Sequence, residues 1–144
     1  MVELNEDDLK IFSGFEKITH VMPSDYLSTA TSVIFLVSPD QLGRAIGKKA
    51  SNMEKLRKFF RKRVVVIADS DDLEIFVRNF FGNVTIHNIE SRNVMGEVAM
   101  MVTIDEKDRG IAIGRDGERI KAAKSILSKK FNATIHLRTK RSEI

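Results

Sequence analysis

The chain has 144 residues, 42% hydrophobic and 31% charged, which is the balance of a globular protein rather than of a disordered tail. It contains no cysteine, which excludes a disulfide framework, a thiolate metal site and a cysteine nucleophile, and no stretch approaches the roughly 18 apolar residues of a membrane span. A net charge of +4 conceals local bias: residues 44–63 hold nine Lys or Arg against the single acid Glu54, and residues 107–130 hold eight against three. Two basic clusters beside acidic runs such as Glu6-Asp7-Asp8 and Asp71-Asp72 describe a polarised surface that meets a polyanion.

The start, Met1-Val2-Glu3-Leu4-Asn5-Glu6-Asp7-Asp8, has the wrong charge for a secretory or mitochondrial leader, so a cytoplasmic location is expected. Leu4, Leu9, Ile11, Phe12 and Phe15 recur at helical spacing over about residues 5 to 18. Extended segments follow at 21–28 and 32–37, the second carrying the apolar run Val33 to Val37 of a buried strand. Ser38-Pro39-Asp40-Gln41 reads as a capping box with Pro at the first helical position, which predicts a short helix running into the glycines at 43 and 47. Met53, Leu56 and Phe60 mark the face of a second helix, and Val64 to Ile67 close the unit with a strand.

The pattern then repeats. Leu73, Ile75, Phe76 and Phe80 give a helix, 83–91 and 95–104 a pair of extended segments, and Asp105 a cap in which Asp108 replaces the reciprocal Gln. Ile120, Ala123 and Leu127 mark the later helix and Thr134 to Leu137 the closing strand, after which Arg138, Lys140 and Arg141 are expected to fray. The order helix, strand, strand, helix, glycine turn, helix, strand implies an α+β fold of two domains, 1–69 and 70–144, each a three-stranded mixed sheet with helices packed on one face. The boundary near Ala68-Asp69-Ser70 is too short for a flexible linker and predicts a rigid pair.

The repeated phrase is the informative part. Gly43-Arg44-Ala45-Ile46-Gly47-Lys48-Lys49-Ala50 returns as Gly110-Ile111-Ala112-Ile113-Gly114-Arg115-Asp116-Gly117, each time ahead of a basic helix. Small residues let a phosphate backbone approach the turn, helix N–H groups face it, and Lys48, Lys49 and Arg115 supply charge. Of the remaining cations, Lys55, Lys58, Arg61, Lys62 and Arg63 in the first unit and Arg119, Lys121, Lys124, Lys129 and Lys130 in the second are candidates to extend the phosphate track, while helical periodicity forbids the whole set from facing one ligand.

Ile-Gly-x-x-Gly between two short helices, with a strand after the second, resembles the KH RNA-binding domain, and the helix-first order resembles its type II form. Two such units in tandem are similar to the KH pair of NusA-like transcription factors, nearest the short archaeal members built of two KH domains alone. The resemblance covers nearly the whole chain. It implies a single-stranded RNA ligand lying across both units, with Ile46 and Ile113 on the floor of an aliphatic groove and Val64 to Ile67 and Thr134 to Leu137 as its strand edge. It also implies a role in transcription elongation, pausing or termination. Two departures stand out: Ala50 replaces the closing glycine, acceptable on a helical φ, and Asp116 puts a carboxylate where phosphate is expected.

His20, His87 and His136 are scattered without metal-ligand spacing, and neither a P-loop, a dinucleotide-binding glycine motif nor a nucleophile elbow occurs. A monomeric binding protein without metal, cofactor or catalysis is therefore expected. The alternatives are a protein-interaction adaptor on RNA polymerase and a KH protein of ribosome assembly or translation.

Overall fold

The computed structural model describes residues 5–142, so Leu4 and the leading residues 1–3 lie outside it. Contacts divide the chain into two compact units between Asp71 and Asp72.

In the first unit α1 (Glu6–Thr19) is followed by β1 (Asp25–Ser28), β2 (Ser32–Val37), α2 (Leu42–Ile46), α3 (Ser51–Phe60) and β3 (Arg63–Ala68). A capping box starts α1: Asn5 Oδ1 accepts from the Asp8 N–H at 2.8 Å and Asp8 Oδ2 from the Asn5 N–H at 3.1 Å. Asp8 also accepts from the Tyr26 hydroxyl, and burial together with that carboxylate pushes the phenol up to about 12. The helix ends at His20 in the left-handed region, and the Thr19 hydroxyl accepts from the Val21 N–H. Residues 21–24 are therefore a connection rather than strand, and β1 starts four residues later than its hydrophobicity suggests.

Phe15, Val21, Val33, Phe35, Val37, Ala45, Leu56 and Val64 form the core of this unit. A Cβ on Gly14 would lie 2.5 Å from the Phe59 ring, so glycine is what lets α1 and α3 pack this closely. β2 pairs antiparallel with β1 and parallel with β3, Phe35 standing between Tyr26 and Val66. A parallel pair needs a crossover, and here the crossover carries α2, the glycine turn and α3.

The second unit repeats this plan with α4 (Leu73–Phe80), β4 (Ile86–Val94), β5 (Glu97–Asp105), α5 (Arg109–Ile113), α6 (Glu118–Phe131) and β6 (Ala133–Lys140). Asp72 caps α4, its Oδ1 accepting from the Ile75 N–H at 2.9 Å. Phe76, Phe80, Met100, Val102, Ile104, Leu127 and Ile135 are buried at its centre. β5 pairs antiparallel with β4 and parallel with β6.

Two local expectations are corrected. Ser38 makes no side-chain cap; the Gln41 N–H bonds the Ser38 carbonyl at 2.9 Å in a 3-10 turn, so the sequence signature of a box is present without the box. The basic tail does not fray where expected either. β6 continues to Lys140, pairing Thr139 with Ile104 and Lys140 with Asp105, and Arg141 Nε donates to Glu106 at 3.1 Å.

Candidate nucleic-acid interface

Each turn begins when a five-residue helix runs out at a glycine. The Gly47 N–H bonds the Gly43 carbonyl at 3.0 Å and the Ala50 N–H the Gly47 carbonyl at 3.1 Å; the equivalents at Gly114 and Gly117 measure 2.9 and 3.1 Å. Gly47 (φ 80°, ψ 167°) and Gly114 (φ 78°, ψ 171°) occupy a backbone region that is essentially glycine's alone. A Cβ would also collide, with Asn52 at 2.9 Å in the first turn and with the Arg119 backbone nitrogen at 2.9 Å in the second.

The second and third residues after the turn glycine are both left-handed: Lys49 and Ala50 in one turn, Asp116 and Gly117 in the other. The condition under which Ala50 would be readily accepted, a helical φ, is not met; its φ is 59°. Asp is among the residues that tolerate this region, which explains Asp116 by backbone geometry without reference to any ligand.

Gly43 and Gly110 differ from the turn glycines. They lie inside α2 and α5, are exposed, and a Cβ on either would meet nothing within 4 Å. Glycine inside a helix is unfavourable by about 0.8–1.0 kcal/mol against alanine, and no internal packing calls for it here. Neither α3 nor α6 carries a side-chain cap, because Ala50 and Gly117 have no capping group, whereas α1 and α4 are both capped. Each turn thus presents a clear glycine surface leading to a helix start whose first-turn N–H groups no capping side chain covers.

The family model described as KH domain matches this chain twice, over residues 13–94 and 77–144. A "Probable transcription termination protein NusA" from Halococcus morrhuae is 31% identical over 91% of this chain and 94% of its own length. Its namesake from Methanocaldococcus jannaschii is 29% identical over 92% of this chain and 73% of its own. A solved structure, "Crystal structure of APE1850", superposes with a TM-score of 0.77 at 32% identity, covering 95% of this chain and all of that one. The chain is a tandem KH protein of the archaeal NusA-like family.

Within the two KH units the expected site residues are not equally placed. Arg44, Lys48 and Lys49 are exposed around the first turn, whereas Ile111, Arg115 and Asp116 hold the same positions in the second. The first turn therefore carries three cations and the second an exposed apolar residue, one cation and one anion. Ile46 and Ile113 are half-buried behind their turns, with Ala45 and Ala112 fully buried beside them. Lys121 is exposed and its Nζ donates to the Asp116 carbonyl at 3.4 Å.

Arg119 is tied inward by several bonds. Its guanidinium donates to Ile111 O at 3.0 Å, Phe80 O at 3.1 Å and Asn83 Oδ1 at 2.6 Å and lies 5.3 Å from the centre of the Phe81 ring. Lys62, from the first basic run, bonds Ser28 Oγ at 3.0 Å and the Thr29 carbonyl at 2.7 Å and so fastens the β1–β2 turn.

Three further polar residues hold the surroundings of the turns; sequence reading missed Asn52, while it named Asp105 as a cap and Asp108 in place of the reciprocal Gln. Asn52 Nδ2 donates to Arg44 O at 3.2 Å; buried Asp108 accepts from the Thr85 N–H at 2.8 Å; and buried Asp105 meets His87 Nε2 at 2.9 Å, the Lys107 N–H at 3.0 Å and the Ser142 hydroxyl. Superimposing the repeat would have exposed Asn52 as the counterpart of Arg119. Among the described residues no group of three or more metal-ligating side chains occurs and no helix is long and apolar enough to cross a membrane.

Proposed function

We propose that both KH units hold the sugar–phosphate backbone of single-stranded RNA in their glycine turns, and that the chain acts through this grip as a NusA-like regulator of transcription elongation or termination. The observation that carries the reading is the twice-built turn: an exposed helix glycine with open space above it, next to an uncapped helix start. Backbone N–H groups and Lys48, Lys49 and Arg115 hold phosphate and carry no sequence information; Ile46 and Ile113 offer an apolar surface to bases. The reading is of a binding protein, not an enzyme, and the names of its relatives support the transcriptional role.

The first unit, with Arg44, Lys48 and Lys49, contributes the larger electrostatic share, and the second the closer approach at Gly117. Fluorescence anisotropy with a labelled single strand and the matching duplex, over a salt series, tests the core of this. Expected are preference for the single strand, steep loss of affinity with salt, and a log–log slope reduced by about 1.4 in a Lys48→Gln, Lys49→Gln variant. Equal affinity for duplex and single strand would refute the reading. Crosslinking in cells, with sequencing of the bound RNA, separates nascent transcripts from ribosomal RNA, and polymerase retained after nuclease treatment would favour an adaptor instead.

A further inference from the structure

Asn52 and Arg119 are each the fifth residue after the turn glycine, and each donates to the carbonyl of the residue following Gly43 or Gly110. That carbonyl lies in a helix of five residues whose last carbonyls have no partner within it, so the bond ties the end of the short helix to the start of the long one. The first turn has this tie once, through a neutral amide at 3.2 Å. In the second, Arg119 adds the Phe80 carbonyl at the end of α4 and the Asn83 side chain, and its stem passes over Gly114, where a Cβ would meet Arg119 Cβ at 2.7 Å.

The geometry points to Arg119 as a positioning residue of the second KH unit: its guanidinium locks α4, α5 and α6 together and sets the Gly114–Gly117 turn in its binding shape, rather than contacting phosphate. A planar fork suits three fixed acceptors in a way that lysine's point charge does not. The inference rests on the RNA-binding reading for its consequence, not for its geometry. If loss of the lock leaves the turn correctly set about a tenth of the time, apparent affinity falls roughly tenfold with no phosphate contact removed.

The test compares Arg119→Lys, Arg119→Gln and Asn83→Ala in the full chain by RNA titration over a salt series and by amide hydrogen exchange at Gly114 to Gly117. A positioning role predicts similar affinity losses in the Lys and Gln variants, a smaller loss for Asn83→Ala, an unchanged salt slope throughout, and faster exchange at the turn amides. A phosphate contact predicts the reverse: Lys retains most of the affinity, Gln lowers the slope by about 0.7, and Asn83→Ala is silent, which would overturn the proposal. Unchanged exchange in both Arg119 variants would overturn it too. Failure of the parent chain to bind RNA would defeat the functional reading, while the exchange measurement would still decide the lock.

Discussion

Ala50 and Gly117 hold the same place in the two turns, and only glycine takes a left-handed backbone without penalty. A non-glycine residue there is unfavourable by about 1–2 kcal/mol, offset in part by the smaller entropy that alanine loses on folding. Ala50→Gly is therefore expected to stabilise the protein by about 0.5–1 kcal/mol in urea denaturation, and Gly117→Ala to destabilise it by a similar amount. Gly43 and Gly110 predict opposite signs for stability and binding. Because their Cβ positions are open, Gly43→Ala and Gly110→Ala should stabilise the short helices by about 0.5–1 kcal/mol while weakening RNA affinity, both measured on the same preparations. Substitutions at Gly47 or Gly114 would not separate the two effects, since their positive φ and close neighbours strain any side chain. The repeated glycine turn was legible in its spacing; the φ of Ala50 was not, because alanine carries no mark of the left-handed region. The inward bonds of Arg119 were not legible for a different reason: its acceptors Phe80 and Asn83 are remote in sequence, and a cation in a basic helix looks the same whether it faces solvent or is tied inward.

At the scale of elements, helical and strand periodicity carried most of the fold. α1, α4, β2 and β3 fall within a residue or so of their expected places because each buries a regular face, whereas the short helices before the turns start only at Leu42 and Arg109, after 3-10 turns. What periodicity could not supply was how segments end. β6 runs on through polar residues because parallel pairing with β5 continues to Asp105, a constraint set by the neighbouring strand rather than by the residues' own hydrophobicity. Asp105 is the anchor of this edge: the Ser142 hydroxyl first, then His87 and the Lys107 N–H, hold its carboxyl down at about 2. A carboxylate with a lowered folded pKa contributes stability that is present above the unfolded value of 3.8 and is lost as pH falls toward about 2. The stability difference between the parent chain and Asp105→Asn should accordingly be constant above about pH 5 and shrink across that acid window, as followed by urea denaturation at stepped pH. A difference that persists unchanged down to about pH 2 would mean that the carboxylate's charge is not what holds the segment.

For the whole molecule, the consequence of building one cradle twice follows from tethering alone. A KH unit accommodates about four nucleotides, so a short oligonucleotide occupies one turn, whereas a longer strand bound at one turn meets the second as an intramolecular event. The effective concentration for that second step reaches the millimolar range with a short connection, and avidity gains of about 10²- to 10⁴-fold follow without any new contact. Titration with single strands of about 4 to 30 nucleotides should thus show affinity rising steeply beyond a threshold length, which measures the path the strand must cover between turns. Disabling one cradle by Lys48→Glu, Lys49→Glu should remove the rise and return long strands to the affinity of short ones, while the equivalent Arg115→Glu change should act in the same direction through the other turn. A smooth increase proportional only to the number of overlapping sites, unaffected by either variant, would show that the two KH units bind independently. The same series in high salt separates the contributions: the turn bearing Arg44, Lys48 and Lys49 should lose its grip first, leaving the residual affinity to Gly114 to Gly117 and the apolar residues behind them.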